Sequence, residues 1–253
     1  MSIFVAIEGV DCAGKFTTAK KLASALKHTE SLKDTPVHII SFPIYETNSG
    51  QMLRRYLNGD YAENEDLTTE DFFPMLYSMN RLEFFRTAKL DPKAIYIFDR
   101  YVASNLIHQA SNLRKRWLDE AERSKQDIPS VLTDTVVMNV ATMSYTNWSR
   151  FEFNNGVPKI PNHLNFMLTI DIDTAMERLA RRKNGKHEGA DILESRDRIQ
   201  TSIDFIEDYR TSYKGDEPPF TYIDVCGNDP TKQIYDAVME EVDTSGFLVS
   251  DSK

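Results

Sequence analysis

A chain of 253 residues with a formal charge of −9 is long enough for one sizeable α/β domain and too acidic for bulk nucleic-acid binding. No apolar run approaches the ~20 residues a membrane span needs, and the start, MSIFVAIEGVD, lacks the basic end and long apolar stretch of a signal peptide. Two cysteines far apart, Cys12 and Cys226, argue against a disulfide framework or a zinc site and for a reducing, cytoplasmic compartment.

In chain order, residues 3–7 (IFVAI) read as a buried strand entering a glycine loop, with a helix to about Leu26. Residues 37–42 (VHIISF) form a second apolar, β-rich run, ended by Pro43. Residues 70–90 have helical spacing, and Pro74 sits in an early turn, where proline costs least. Residues 95–98 (IYIF) make a third strand, closed by Asp99 and Arg100. A long helical stretch follows, broken near Ile128 and Pro129. Residues 164–170 and 220–225 supply a fourth and a fifth strand; helices run from Thr174 to Arg182, Ile192 to Tyr213 and Thr231 to Val242. Continuous apolar strands alternating with helices predict an α/β fold whose five-stranded parallel sheet is covered on both faces. Ligands of such sheets bind beyond the carboxyl ends of the strands. One domain is expected over residues 1–242, with 243–253 as a mobile tail.

Between the first strand and its helix stands Gly9-Val10-Asp11-Cys12-Ala13-Gly14-Lys15, the G-x-x-x-x-G-K part of a phosphate-binding loop. Glycines let such a loop curl until its N–H groups point at phosphate oxygens, the helix N-terminus adds a favourable dipole, and Lys15 adds a point charge. The pattern departs at the next position, where a Ser or Thr hydroxyl is expected and Phe16 stands. Thr17 and Thr18 follow, but one residue along a helix turns a side chain by ~100°, so neither simply replaces that hydroxyl.

Four segments in order, FVAIEGVDCAGK, SFPIYETNSGQMLRRYLNG, LYSMNRLEFF and FDRYVASNLIHQ, resemble the thymidylate kinases, over residues 3–109 closely and 160–240 more loosely. The resemblance implies a P-loop kinase fold with a helical lid at about 174–198 and transfer of a phosphoryl group from ATP to dTMP, with Mg²⁺ as cofactor. It implies an ATP site of Gly9, Asp11, Cys12, Ala13, Gly14, Lys15, Phe16 and Thr17. Asp11 would contact the sugar 3′-hydroxyl, and Phe42 would lie at the acceptor site. Tyr45 would sit near the acceptor phosphate, Tyr77 would stack on thymine, and Arg81 would hydrogen-bond a thymine carbonyl. Arg100 would bind the acceptor phosphate, Asn105 would reach the base, His108 would lie near the sugar 2′ position, and Gln109 would follow the family pattern. Asp11, Asp99 and Glu194 would serve the metal. With Cys12 where some members carry a loop arginine, catalytic cations besides Lys15 and Arg100 would come from the lid, Arg178 and Arg182 above all.

Tyr77 and Arg81 are four apart, so they share a helical face and can serve one base. Each alone has a plainer reading. Tyr77 could be core, Arg81 could pair with Glu83 or Glu120, His108 could be a satisfied buried histidine, and the basic lid helix could be a solvated face. The combined pattern favours the site. A homodimer handling small molecules, with no membrane or nucleic-acid partner, is expected. Two other functions stay open: a kinase for another pyrimidine nucleotide or deoxynucleoside, and a nucleotide-binding module without catalysis, which Phe16 alone supports. Residues 110–160 exceed the family norm and carry no functional reading.

Overall fold

The computed structural model describes residues 2–61, 72–124, 130–183, 195–212 and 219–248. Five strands, β1 (Ile3–Gly9), β2 (Val37–Ser41), β3 (Ile95–Asp99), β4 (Asn165–Thr169) and β5 (Thr221–Asp224), pair in parallel in the order β2-β3-β1-β4-β5. Helices alternate with them: α1 (Lys15–Lys27), α2 (Asn48–Leu57), α3 (Phe72–Thr87), α4 (Ala103–Ser124), α5 (Ser130–Asn154), α6 (Ile172–Lys183), α7 (Arg196–Ser212) and α8 (Thr231–Thr244). One helical layer has α1 and α8 packed together on the sheet; the other has α4 against β1, α7 and α5. Among the described residues no helix is long and apolar enough to cross a membrane.

The strands lack polar alternation because helices cover both faces. Ile3, Val5, Ala6 and Ile7 of β1 and Ile95, Tyr96, Ile97 and Phe98 of β3 are all buried. Burying each large side chain among them favours folding by ~1.5–3 kcal/mol, much of it offset by the entropy of ordering the chain. Phe42 joins this core, its ring 5.6 Å from Phe84, 5.9 Å from Phe98 and 6.4 Å from Tyr101.

The chain leaves β1 towards β2 on one side and β3 towards β4 on the other. The crevice of the fold therefore opens between the carboxyl ends of β1 and β3. Ile7 pairs with Asp99 there, setting Gly9 and Arg100 on either side of the opening. The expected mobile tail begins too early: α8 runs through Thr244, and Phe247 packs in the core. An apolar ring four residues before Asp251 had no periodic signal to mark it.

Candidate active site

The loop after β1 curls because three of its residues adopt positive φ, Gly9 at 139°, Cys12 at 66° and Gly14 at 90°. A Cβ on Gly9 would lie 2.6 Å from the Leu168 carbonyl oxygen, so only glycine fits. A non-glycine residue such as Cys12 in this region costs on the order of 1–3 kcal/mol, a strain that functional loops tolerate. Lys15 is buried and donates to the carbonyls of Gly9 (3.0 Å) and Val10 (2.8 Å). Burial and the nearby Arg100 charge lower its pKa to about 8, against the pull of Asp11, Asp99 and Glu8.

Arg100 also has positive φ, 67°, which turns its side chain back over the loop. Its Nη2 donates to Asp11 in a short ion pair, and its Nη1 lies 3.0 Å from His108 Nε2. A guanidinium can only donate, so Nε2 accepts and the neutral ring carries its proton on Nδ1. Burial and the Arg100 charge push the His108 pKa down to about 3, which keeps the ring neutral. Burial would raise the Asp11 pKa, but Arg100 and Lys15 outweigh it and hold this carboxyl well below the usual range. Asp99, at the end of β3, accepts from Ser41 Oγ at 3.2 Å.

These groups line an open cleft of about 460 Å³ with Cys12, Gly14, Phe16, Thr17, Arg178 and Arg182. Phe16 is 47 % exposed, with Lys20 Nζ 4.3 Å from its ring centroid. Thr17 faces the cleft whereas Thr18 is buried, as one step around a helix requires.

The α3 and α4 residues expected at the base are held differently. Arg81 of α3 is fully buried; its Nε and Nη2 donate to the two carboxylate oxygens of Glu152 at 2.6 and 2.7 Å, and its Nη1 donates to the Tyr101 carbonyl at 3.1 Å. Ser78 Oγ donates to Glu152 at 2.6 Å, and Asn105 Nδ2 donates to Ser78 Oγ (3.1 Å) and the Pro74 carbonyl (3.2 Å). Asn105 Oδ1 is buried and has no partner. Tyr77 is buried beside Phe73, and its ring faces His108 with 6.3 Å between centroids.

The structure thus brings Asp11, Lys15, Asp99, Arg100, Arg178 and Arg182 to one cleft and places Tyr77, Arg81, Asn105, His108 and Gln109 on α3 and α4. Several expectations change. Phe42 is a core ring rather than a cleft residue, because β2 delivers it to the aromatic cluster. Tyr45 packs with Leu53 and Phe73, and the Arg54 guanidinium lies 4.8 Å from its ring centroid. Asp11 is committed to Arg100, which leaves Asp99 as the freer carboxylate for a cation. Arg178 holds the loop through the carbonyls of Cys12 and Ala13 and ties it to the Val225 carbonyl beyond β5, while Arg182 lines the cleft beside it. Glu194 and lid residues 184–194 lie outside the described residues. Arg81 pairs with neither expected carboxylate. Glu83 caps α2 at Asn48 and Ser49, and Glu120 pairs with Arg123.

Four residues went unread in the sequence: Glu8, Ser41, Ser78 and Glu152. Buried Glu8 accepts from the Ala103 N–H (2.9 Å) and Ser104 Oγ (2.7 Å), capping α4 and fixing the DR-Y-x-x-S-N segment. A carboxylate inside an apolar strand was the available signal. Ser41, Ser78 and Glu152 gave no local sign.

A glycine-curled loop with its lysine at the start of a helix, facing a strand-end Asp-Arg pair across a β2-β3-β1-β4-β5 sheet, defines a P-loop phosphotransferase. The thymidylate kinase family model matches residues 7–138. The chain belongs to the thymidylate kinase family, whose members are nucleoside-monophosphate kinases. A putative thymidylate kinase of Invertebrate iridescent virus 6 is 30 % identical over 165 residues, 62 % of this chain and 73 % of that protein. The thymidylate kinase of Plasmodium falciparum is 33 % identical over 118 residues, 45 % of this chain and about half, 52 %, of that protein. A solved thymidylate kinase of Candida albicans, reported for its broad substrate specificity and a novel structural element, shares the fold at a TM-score of 0.55 and 20 % identity, covering 98 % of this chain and 93 % of that one.

Proposed function

We propose that this enzyme phosphorylates dTMP to dTDP with ATP by direct in-line transfer, in the supply of deoxynucleotides. The observation that carries the reading is the cleft in which Lys15 and Arg100 meet from opposite sides. Lys15 exchanges the carbonyls of Gly9 and Val10 for ATP phosphate oxygens. Arg100, aimed by His108 and Asp11, takes the acceptor phosphate and holds it in line with the donor, where positioning and charge neutralisation lower the barrier. Arg182 adds charge from the lid.

The donor set suits Mg²⁺, which takes one or two carboxylates alongside phosphate oxygens and water. Asp99, oriented by Ser41, would hold it directly or through water, with Glu194 assigned by resemblance alone. When bound, the ion would shield the phosphate oxygens that Lys15 and Arg100 do not reach.

At the base end Tyr77 offers a face, Arg81 a donor and Asn105 Oδ1 an unpartnered acceptor. A thymine ring presents a carbonyl to the donor and its N3–H to the acceptor. Cytosine presents an amino group and a bare nitrogen there, and a site built for hydrogen bonds rejects such a mismatch strongly. dUMP, lacking only a methyl, should be a poorer substrate. His108, bound to Arg100, crowds the sugar 2′ position with its other edge. A homodimer in the cytoplasm completes the proposal on family grounds.

An ADP-release assay with ATP-Mg²⁺ against dTMP, dUMP, dCMP and UMP tests it. Turnover on dTMP well above dCMP is expected. Equal rates on the two would overturn the base assignment, and no turnover on any monophosphate would favour the binding-module reading.

A further inference from the structure

Glu152 lies on α5, inside the segment that exceeds the family norm and beyond the matched residues 7–138. It is fully buried, and its carboxylate meets Arg81 directly and Asn105 through Ser78, the two residues that hydrogen-bond the base in the reading above. Towards Arg81 it presents two oxygens to Nε and Nη2, a fork that fixes the guanidinium plane. With Nη1 on the Tyr101 carbonyl, three of the five N–H groups are spent and the direction of the other two is set.

Towards Asn105 it acts through Ser78. A carboxylate only accepts, so Ser78 must give its single proton to Glu152. The hydroxyl oxygen can then only accept, and Asn105 must turn its NH₂ towards it, as it does at 3.1 Å. The Pro74 carbonyl, also an acceptor, takes the other N–H. The amide is left showing Oδ1, the buried atom without a partner.

We propose that Glu152 is a positioning residue that sets the donor–acceptor polarity of the base slot, a donor at Arg81 and an acceptor at Asn105, and thereby selects bases with an adjacent carbonyl and N–H over cytosine. The inference rests on the dTMP reading. Glu152→Gln would break the polarity. Its amide donates to Ser78, which can then donate to Asn105 Oδ1 and turn the amide round. Ser78→Ala removes the relay while leaving the Arg81–Glu152 pair whole.

The test compares kcat/KM for dTMP and dCMP, with KM for ATP, in wild type, Glu152→Gln and Ser78→Ala. Wild type should prefer dTMP by at least ~100-fold. The preference should fall at least ~10-fold in Glu152→Gln and several-fold in Ser78→Ala, with KM for ATP within ~2-fold, because the altered groups touch the base slot alone. If Glu152→Gln does not fold, Ser78→Ala decides. A variant that loses rate on both nucleotides equally, with the ratio kept, overturns the inference and leaves Glu152 a merely structural acid. A wild type that accepts dTMP and dCMP alike overturns the base reading itself, which separates the two failures.

Discussion

At the phosphate end of the cleft, Lys15 rests on the carbonyls of Gly9 and Val10, and Arg178 on those of Cys12 and Ala13. At the base end, Arg81 lies at zero exposure on a carboxylate that accepts at both oxygens. The first set of partners is mostly backbone at an open cleft, and a polyanion can displace it. The second is side-chain, buried and closed. On the proposed reading, Lys15 and Arg178 wait on exchangeable backbone partners, whereas Arg81 and Asn105 are locked before a base arrives. Preorganisation of this kind lowers the cost of binding the right ligand and raises the penalty for the wrong one.

The contrast should appear first in stability. Removing one partner of a buried ion pair leaves an uncompensated charge and costs ~3–5 kcal/mol. Glu152→Ala should therefore lower Tm by roughly 6–20 °C in a chain of this size, at ~2–4 °C per kcal/mol. Lys15→Ala should leave Tm unchanged or raise it, since burial and Arg100 already work against that charge. Thermal unfolding of the two variants gives the answer, and equal Tm losses would erase the distinction.

Turnover should reverse the order. Lys15→Ala and Arg100→Ala each remove a cation from the transferring group, a loss on the order of 3–4 kcal/mol of transition-state stabilisation. A folded protein with kcat down at least ~100-fold is expected. Near-normal kcat in either variant would mean that the cleft between β1 and β3 is not where transfer happens.

The exchangeable end should also respond to pH. With its pKa near 8, Lys15 in the free enzyme loses its proton through that pH, while bound phosphates would restore it. ATP affinity should then fall above about pH 8, by up to ~10-fold per unit, with proton uptake on binding. Calorimetry at pH 8.5 in two buffers of different ionisation enthalpy measures that uptake, which Lys15→Met should abolish. The linkage to folding has the opposite sign. An unfolded lysine keeps its proton to about 10.5, so this group adds stability as pH rises from about 8 to 10.5. His108 acts at the acid end. Its folded pKa near 3 lies below the ordinary 6.5, so stability falls as pH drops through that window.

The same division decided what could be read from sequence. The loop, the strands and the Asp-Arg pair are local patterns, and strands appeared within a residue or two of their places. α1, α3 and α8 were legible for the same reason. The base end was not, because its organising contact spans 71 positions from Arg81 to Glu152. A glutamate on α5 looks like any solvated charge until that helix docks against α3. Arg178 was legible as a cation four residues from Arg182, but its bonds to the loop carbonyls depend on where α6 begins relative to β5. Burial could not be read at Phe42 and Tyr77, both buried in the structure: a motif position does not say how deep a ring lies.

The smallest effect is expected at the most visible departure from pattern. Phe16 is half exposed at the first turn of α1 and stands where a hydroxyl would reach the metal. Its cation–π contact with Lys20 is worth only ~0.5–1 kcal/mol at such a site, so Phe16→Thr should barely move Tm. Mg²⁺ usually keeps several waters, and a side-chain oxygen added to its shell replaces one of them rather than creating the site. Asp99, braced by Ser41, remains in either protein. Phe16→Thr should therefore tighten the Mg²⁺ requirement of the ADP-release assay by no more than a few-fold, with kcat within ~3-fold of wild type. A magnesium titration at saturating nucleotides measures both. Should the substitution instead turn an inert protein into a working kinase, the chain would be a binding module that had lost its metal, and the exchangeable partners of Lys15 would serve capture of a nucleotide rather than transfer from it.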